Sequence, residues 1–309
     1  MGRLVAGQWV TKPAAKTGDG YQRKTTQFRG HIRRDGSTEY SPARGRYHLY
    51  VSHACPWAHR ALIGLELFEL ADSIDTSVTD AFMGDDGWTL PEGADPINDA
   101  RFLRDVYVAG RADYTGRVSV PVLWDKQTST IVNNESVEVL RMFSEEFDHG
   151  AQWRLWPAGL EQAVDDMIGA NYNTINNGVY RCGFAGSQRA YDEAVHELFD
   201  QLDACEKILG RQRYLCGDQL TAADICLFTT LYRFDSVYNV HFKCNIRRIV
   251  DYPNLWGFAR DIYQTAGVAN TCHMDQIRLH YYTSHESISP RRIIPAGAPP
   301  DFGLAHQRA

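Results

Sequence analysis

The stretch YHLYVSHACPWA, residues 47–58, decides how the fold is interpreted. Its first five residues alternate in character and are rich in aromatic side chains, which is typical of a β-strand. Apolar residues then recur at helical spacing from Trp57 to Phe68, and Pro56 suits the first helical turn, where its missing N–H would have no partner anyway. The stretch therefore predicts a strand that passes directly into a helix, with Cys55 at the junction.

The residues downstream complete the pattern of a thioredoxin-like domain. Further strands are predicted over 74–78, 118–124 and 130–132, and a further helix opens at residues 133–136. A long polar insertion, about residues 80–116, follows the second strand and carries Trp88. The order β-α-β followed by β-β-α predicts a thioredoxin-like fold.

After Trp156 the strand patterns stop and an all-helical region begins. Helical periodicity runs through 160–176, 190–209, 222–235 and 254–265. Thr221 and Asp224 have the spacing of a capping box, and Leu220 and Ile225 are placed as a hydrophobic staple. The predicted fold class is α/β plus all-α: an irregular N-terminal arm over 1–44, a thioredoxin-like domain over 45–150, an all-helical domain over 157–286 and a C-terminal tail over 287–309.

Composition excludes several classes of protein. The chain has 309 residues, of which 44% are hydrophobic and 23% charged, which is ordinary for a globular protein with about two domains. The formal net charge of −6 offers no basic footprint for nucleic acid or anionic lipid. No apolar run approaches the ~20 residues that cross a bilayer, and the first residues show no leader or acylation pattern. We expect a soluble cytoplasmic protein without nucleic-acid or membrane partners.

The seven cysteines indicate reduced thiols. Their number is odd, no two have CxxC spacing, and a chain of this length needs no cross-links. No group of Cys and His has the spacing of zinc ligands, so no metal site is predicted. The six cysteines in the helical half are interpreted as packing residues: Cys182, Cys205, Cys216, Cys226, Cys244 and Cys272.

Cys55 is the candidate nucleophile. A sulfur at a helix start faces unpaired N–H groups and the positive end of the helix, which favour the thiolate and lower a thiol pKa. Ala58 stands where a dithiol oxidoreductase carries its second cysteine, so Cys55 is expected to exchange with an external thiol. An ordinary buried cysteine is the alternative. His53 and His59 lie nearby, but the strand–helix geometry requires neither for catalysis.

Val120–Pro121 is the second candidate element. A proline within a strand belongs at an edge or a bend because it cannot donate to the ladder. In a thioredoxin-like domain the loop here carries a cis-proline that faces the cysteine, and the backbone of Val120 would pair with an extended peptide. A trans edge proline is the alternative.

Glu135 and Ser136 form the third candidate element. At a helix start, the Ser136 hydroxyl and backbone N–H groups can hold a carboxylate, and Glu135 can pair with an ammonium. The γ-glutamyl end of glutathione presents both charges. A simple helix cap with an acidic first turn is the alternative. Together the three elements suggest a thiolate, an edge for a cysteinyl backbone and a clasp for a γ-glutamyl group.

This combination resembles a glutathione transferase, and within that superfamily it resembles the Xi class, the glutathionyl-hydroquinone reductases. The resemblance runs from about residue 30 to residue 297. The strings that carry it are CPWA (55–58), TGRVSVPVLWD (115–125), NNES (133–136), NNGVY (176–180) and RLHYYTSH (278–285).

The resemblance implies glutathione as co-substrate and reduction of a glutathionyl-hydroquinone through a mixed disulfide on Cys55. It implies that Trp88 covers glutathione and that Arg117 balances its carboxylate, although a surface arginine is the alternative for Arg117. It implies that Tyr180 and Tyr281 bind the hydroquinone oxygens from the helical domain. The neighbouring Tyr172 and Tyr282 are alternatives to these two tyrosines. A homodimer built through the helical domain is also implied.

Two other functions stay open at this point. The first is an omega-like thioltransferase that deglutathionylates small disulfides, against which the aromatic set of Trp88, Tyr180 and Tyr281 favours a planar phenolic substrate. The second is a non-catalytic binding module of the same fold, which would need neither Cys55 nor the Glu135–Ser136 clasp.

Overall fold

The computed structural model describes residues 2–11, 18–21, 23, 25–147 and 152–308. Parts of the predicted arm, thioredoxin-like domain and tail therefore lie outside the described residues. The chain divides into two compact units, within each of which the residues contact one another. The first unit contains the described residues of 1–16, 25–152 and 275–284, and the second contains those of 17–24, 153–274 and 285–309.

The first unit is built on a four-stranded mixed sheet. Its strands and helices, with two short hairpins, are β1 (Arg3–Val5), β2 (Gln8–Val10), β3 (Tyr47–Val51), α1 (Pro56–Leu67), β4 (Ile74–Val78), β5 (Met83–Gly84), β6 (Gly87–Trp88), α2 (Leu103–Gly110), β7 (Val122–Asp125), β8 (Thr130–Asn133) and α3 (Ser136–Glu145). The sheet order is β4-β3-β7-β8. β3 is parallel to β4, whereas β7 is antiparallel to both β3 and β8. This confirms the predicted thioredoxin-like fold.

Helices α1 and α3 pack closely against each other. Gly64 permits the approach, because a Cβ atom at this position would lie 2.8 Å from Leu140 Cδ1 and 3.3 Å from Phe143 Cδ2. Both of those side chains are fully buried. The close contact fixes the start of α1 relative to the start of α3, and this matters for the site described below.

Three predictions for this unit are wrong in detail. The arm over 1–44 is not irregular throughout, because β1 and β2 form a hairpin around Ala6 and Gly7, both at positive φ, as a two-residue turn of type I′ requires. The strand predicted over 118–124 begins only at Val122. Ser119 does not pair with a neighbouring strand, because its N–H and its carbonyl oxygen both form hydrogen bonds with the Tyr107 hydroxyl. The insertion contains helix α2, whose start the sequence pattern did not indicate.

The second unit is helical, as predicted. Its helices are α4 (Glu161–Asn171), α5 (Gly178–Gly183), α6 (Gln188–Leu209), α7 (Ala222–Arg233), α8 (Asn239–His241) and α9 (Pro253–Gln264). Helix α7 forms the centre, with all twelve residues buried, and α4 and α9 pack on it. Among the described helices, none has both the length and the apolar composition to cross a membrane.

Two π-helical turns and an anchored tail complete this unit. The predicted helices over 160–176 and 222–235 each pass into a π turn, at Tyr172–Asn176 and at Phe234–Tyr238. In the tail, Phe302 packs against the ring of Trp256, and the Arg308 guanidinium donates to three backbone carbonyls between 209 and 213. The tail therefore has defined contacts despite its lack of regular structure.

The last helix, α10 (Met274–Ser284), belongs to a different unit from the one in which the sequence analysis places it. The predicted helical domain includes residues 157–286, yet residues 275–284 have their contacts within the first unit. The reason is a set of contacts with the β5–β6 hairpin: the Met83 N–H donates to Ser284 Oγ at 2.9 Å, and the His280 ring stacks on Trp88. The predicted domain boundaries remain a prediction.

The capping box at the start of α7 is present as predicted. Asp224 Oδ2 accepts from the N–H and the hydroxyl of Thr221, each at 2.7 Å, and Asp224 Oδ1 accepts from the Leu215 N–H at 2.8 Å. Burial raises the pKa of Asp224 to about 6, because the desolvation of the carboxylate outweighs these hydrogen bonds.

This shift predicts a pH-dependent contribution to stability. Below about pH 4 the carboxyl is protonated in both the folded and the unfolded state, whereas between pH 4 and 6 only the folded state retains the proton. The stabilisation from Asp224 is therefore complete below pH 4 and is lost as pH rises through 6, with a span of about 3 kcal/mol.

Asp224→Asn provides the comparison, because the amide does not titrate and its cost is constant. In urea unfolding at pH 4, 5, 6 and 7, the free energy of unfolding of the wild type minus that of Asp224→Asn should fall as pH rises. A constant difference across this range contradicts the prediction.

Candidate functional site

The candidate residues of the first unit meet because of the sheet topology. β3 and β8 are both antiparallel to β7, so the carboxyl ends of β3 and β8 and the amino end of β7 lie at one edge. Cys55 follows β3, Val120–Pro121 precede β7, and Glu135–Ser136 follow β8. All three candidate elements therefore belong to the same edge of the sheet.

Cys55 is the N-cap residue of α1, with extended backbone and Pro56 at the first helical position. Its side chain is half-buried, and its carbonyl accepts the His59 N–H at 3.0 Å, which starts the helix. The Cys55 Sγ lies 3.8 Å from the Val120 carbonyl oxygen. The thiol thus lies at the positive end of a twelve-residue helix and beside the segment before β7.

The segment before β7 presents backbone and charge to the same edge. The Val120–Pro121 peptide bond is cis, as predicted. Within the described residues, no acceptor is present for the Val120 N–H. The half-buried Arg117 guanidinium has no hydrogen bond or ion pair with any residue that the structure describes. A backbone N–H and a cation therefore remain available to a ligand.

Glu135 and Ser136 occupy the start of α3. Glu135 is the N-cap residue, but its side chain accepts no hydrogen bond from the first N–H groups of the helix. Its Oε2 accepts a hydrogen bond from the Thr26 hydroxyl at 3.3 Å. Ser136 is buried as the first helical residue. Its Oγ accepts a hydrogen bond from the Arg60 guanidinium at 3.4 Å. The geometry offers a carboxylate for a cation next to N–H groups and a hydroxyl for an anion.

Trp88 lies on the hairpin that follows β4, whose carboxyl end is at the same edge because β4 is parallel to β3. The indole is buried and stacks on the His280 ring, with centroids 4.8 Å apart and an interplanar angle of 18°. His280 Nδ1 lies 2.8 Å from the Ala81 carbonyl oxygen. The indole is thus held in place from α10.

The four tyrosines considered from the sequence lie in different parts of the structure. Tyr281 and Tyr282 are buried in the part of α10 that belongs to the first unit, and burial raises the pKa of Tyr282 to about 12. Tyr180 is buried in α5 of the second unit, with the Arg23 guanidinium 4.9 Å from its ring centre. Tyr172 is the first residue of a π turn in that unit.

At several of the other cysteines, burial disfavours the thiolate. Burial raises the pKa of Cys205 to about 12, of Cys216 to about 11 and of Cys272 to about 12. No disulfide joins the seven cysteines, all of which the structure describes. No cluster of three potential metal ligands occurs within the described ranges.

The sequence analysis did not identify three residues that lie near the site. Thr26 contacts Glu135, His280 stacks on Trp88, and Arg60 contacts Ser136. Only His280 carried a signal, since it belongs to the RLHYYTSH string at 278–285. The other two contacts depend on tertiary structure.

Comparisons with known proteins agree with this geometry. Residues 54–146 match the family model of the glutathione S-transferase N-terminal domain, and residues 188–261 match that of the C-terminal domain. The chain is 46% identical to glutathionyl-hydroquinone reductase YqjG of Escherichia coli, with 100% of the chain and 98% of the relative covered. It is 45% identical to glutathionyl-hydroquinone reductase PcpF of Sphingobium chlorophenolicum, with 99% and 100% covered.

Solved structures give the same result. A Xi class glutathione transferase from Natrialba magadii superposes with a TM-score of 0.94 at 48% identity, with 98% of this chain and 95% of that chain covered. The glutathione-bound structure of Escherichia coli YqjG gives a TM-score of 0.89 at 44% identity, with 99% of both chains covered. A relative named omega-like 2 from Schizosaccharomyces pombe is less similar, at 38% identity over 94% of this chain and 97% of the relative.

The different environments of the cysteines predict selective alkylation. At pH 7 iodoacetamide should modify Cys55 at least about tenfold faster than Cys216 or Cys272, because the helix start favours the thiolate at Cys55 whereas burial disfavours it at the other two. Peptide mapping by mass spectrometry during the labelling measures each rate. Equal rates at Cys55 and Cys216, which are both half-buried, contradict the expectation.

Proposed function

The chain belongs to the Xi class of the glutathione transferases, and from this we propose that it is a glutathione-dependent reductase of glutathionyl-hydroquinones. The observation that carries the proposal is the position of Cys55, a thiol at the start of α1 and 3.8 Å from the Val120 carbonyl oxygen. Ala58 leaves this thiol without a partner cysteine in its helix. The thiol therefore reacts with sulfur supplied by a ligand.

The first chemical step forms a mixed disulfide. The Cys55 thiolate attacks the sulfur of the glutathionyl thioether, the bond between sulfur and the aromatic carbon breaks, and an S–S bond forms between Cys55 and glutathione. The aromatic carbon receives the electron pair and a proton, and the hydroquinone leaves. The start of α1 favours the thiolate form that this step consumes.

The second step regenerates the enzyme. A second glutathione, as thiolate, attacks the glutathione sulfur of the mixed disulfide, and the Cys55 thiolate leaves. This exchange yields glutathione disulfide and the free Cys55 thiolate, and the proton lost when the second glutathione ionises balances the one that the aromatic carbon takes up in the first step. The net reaction converts one glutathionyl-hydroquinone and one glutathione into hydroquinone and glutathione disulfide.

The edge residues bind the glutathionyl group in this proposal. Val120, at the cis-Pro121 bend, offers its N–H and C=O to the cysteinyl backbone, as in strand addition. Glu135 binds the γ-glutamyl ammonium, and Ser136 with the start of α3 binds the α-carboxylate. Arg117 balances the glycyl carboxylate, and its guanidinium without a described partner supports that assignment. Trp88 covers the tripeptide.

The hydroquinone side is assigned from the family resemblance. Tyr180 and Tyr281 hydrogen-bond the hydroquinone oxygens, and a phenolic donor near the departing aromatic carbon assists its protonation. The buried position of each tyrosine among aromatic side chains supports an apolar environment for the ring. Tyr172 and Tyr282 remain the alternatives.

The competing functions have less support. Omega-like relatives are more distant than the two named reductases. A binding module would need neither Cys55 nor the Glu135–Ser136 clasp, and both are present. We further propose a cytoplasmic location, where glutathione stays reduced, which suits a chain without disulfides among its seven cysteines. A homodimer through the helical domain is proposed from the family resemblance.

Substitution of Cys55 tests the reaction. Cys55→Ser should lower turnover of a glutathionyl-hydroquinone, such as glutathionyl-menadiol, at least about 100-fold, because a hydroxyl forms neither the thiolate nor the mixed disulfide. The assay follows hydroquinone release by chromatography. Cys216→Ser is the matched control and should retain activity, since that thiol lies in the second unit.

Intact-mass spectrometry extends this test to the alternatives. A single turnover without added glutathione should leave one glutathione on wild-type Cys55 and none on Cys55→Ser. Full reductase turnover by Cys55→Ser contradicts the mechanism, and the absence of any adduct on the wild type favours the binding module. A faster rate with a simple glutathione mixed disulfide than with the hydroquinone conjugate favours the omega-like activity.

The tyrosine assignment gives a separate prediction. Tyr180→Phe and Tyr281→Phe should each lower kcat/KM for the glutathionyl-hydroquinone about tenfold, because each removes one hydrogen bond to the substrate. The Kd for glutathione, measured by calorimetry, should stay within about twofold of the wild type. Tyr172→Phe and Tyr282→Phe are the controls, and a larger loss in either control reassigns the role to that tyrosine.

A further inference from the structure

Arg60 is a buried cation whose charge the described protein leaves unbalanced. It lies in α1, five residues after Cys55, and the residue is 1% exposed. No carboxylate of the described residues forms an ion pair with it, and its Nε is buried without a hydrogen-bond partner. Such a site lowers the free energy of unfolding, because a buried ion normally requires an opposite charge and full hydrogen bonding.

Arg46, at the opposite end of the same sheet, shows the usual arrangement. Its side chain is also largely buried, and its guanidinium binds both oxygens of Asp125 at 2.7 and 2.8 Å. The two arginines therefore differ in one respect that matters for charge: Arg46 has a permanent carboxylate partner, whereas Arg60 has none among the described residues.

The groups next to Arg60 indicate where an anion would lie. Its guanidinium is 4.5 Å from the centre of the Trp57 ring, and its Nη1 donates to Ser136 Oγ at 3.4 Å. Ser136 is the first residue of α3, and no acceptor within the described residues takes the N–H of Ser136 or Val137. The cation thus supports a helix start whose N–H groups have no partner in the described protein.

We propose that Arg60 is a positioning residue whose buried charge is balanced by the α-carboxylate of the γ-glutamyl group when glutathione binds at Ser136. This inference rests on the proposed function. It explains why an arginine without a carboxylate partner among the described residues is buried beside Ser136, which the binding roles of Ser136 and the helix start do not explain by themselves. Arg60 acts through Ser136: because it donates to Ser136 Oγ, the hydroxyl hydrogen is directed away from Arg60 and toward the ligand. The charge of Arg60 then serves ligand binding more than the stability of the unliganded fold.

The variant Arg60→Met tests this role, with Arg46→Met as the matched control. Arg60→Met should raise the Kd for glutathione about 10- to 100-fold, the range expected for the loss of charge-assisted hydrogen bonding. Its thermal midpoint without ligand should equal or exceed that of the wild type, because an unbalanced buried charge is removed. Arg46→Met should lower the thermal midpoint, because Asp125 is left unpaired, and should leave the Kd unchanged.

A ligand analogue makes the assignment specific to one carboxylate. γ-Aminobutyryl-cysteinyl-glycine lacks only the α-carboxylate of glutathione, so the wild type and Arg60→Met should bind it with Kd values within about twofold of each other. At saturating substrate, kcat of Arg60→Met should stay near the wild-type value while KM rises, since a positioning role in binding leaves the chemical step intact.

Three results would overturn the inference. They are an unchanged glutathione Kd in Arg60→Met, an equal loss of affinity for glutathione and the analogue, and a fall in the ligand-free thermal midpoint as large as that of Arg46→Met. The proposed function fails separately, through a wild-type enzyme that does not release hydroquinone from its glutathionyl conjugate.

Discussion

The antiparallel pairing of β7 with both β3 and β8 is the constraint on which the site depends. It places the ends of two strands that continue into helices at one edge, so the positive starts of α1 and α3 lie at that edge together. The proposed ligand reacts with a thiolate and carries a carboxylate. Each helix start suits one of these anions: α1 suits the Cys55 thiolate and α3 the α-carboxylate. One sheet topology thus serves both proposed roles, the activation of the nucleophile and the binding of the substrate.

The distribution of charge along the sheet separates stability from binding. At one end the ion pair of Arg46 and Asp125 is complete within the protein. At the other end Arg60 and Arg117 have no carboxylate partner among the described residues, and the first N–H groups of α3 have no acceptor there. Since the chain as a whole is negative, this local excess of positive charge favours an anionic ligand at that edge. A negatively charged tripeptide meets the requirement.

The features that could be predicted from the sequence are local ones. The strand–helix junction at Cys55, the capping box at Thr221 and the helical second unit each follow from short-range spacing. Contacts between distant segments could not be predicted. Helical periodicity places position 60 on the buried face of α1, yet an arginine there gives no sign of lacking a carboxylate. The α2 helix was missed because its N-cap residue, Phe102, is not a typical capping residue.

The position of α10 shows why the C-terminal motif belongs to the same functional unit as the thioredoxin-like sheet. Trp88 lies on a hairpin with two-residue strands, which is too small to be stable by itself. Ser284 accepts from the Met83 backbone, and His280 stacks on the indole. The hairpin therefore depends on residues about 200 positions later in the chain. Tyr281 follows His280 directly, so the stacking that holds the tryptophan proposed to cover glutathione also fixes the helix that carries the proposed hydroquinone-binding tyrosine.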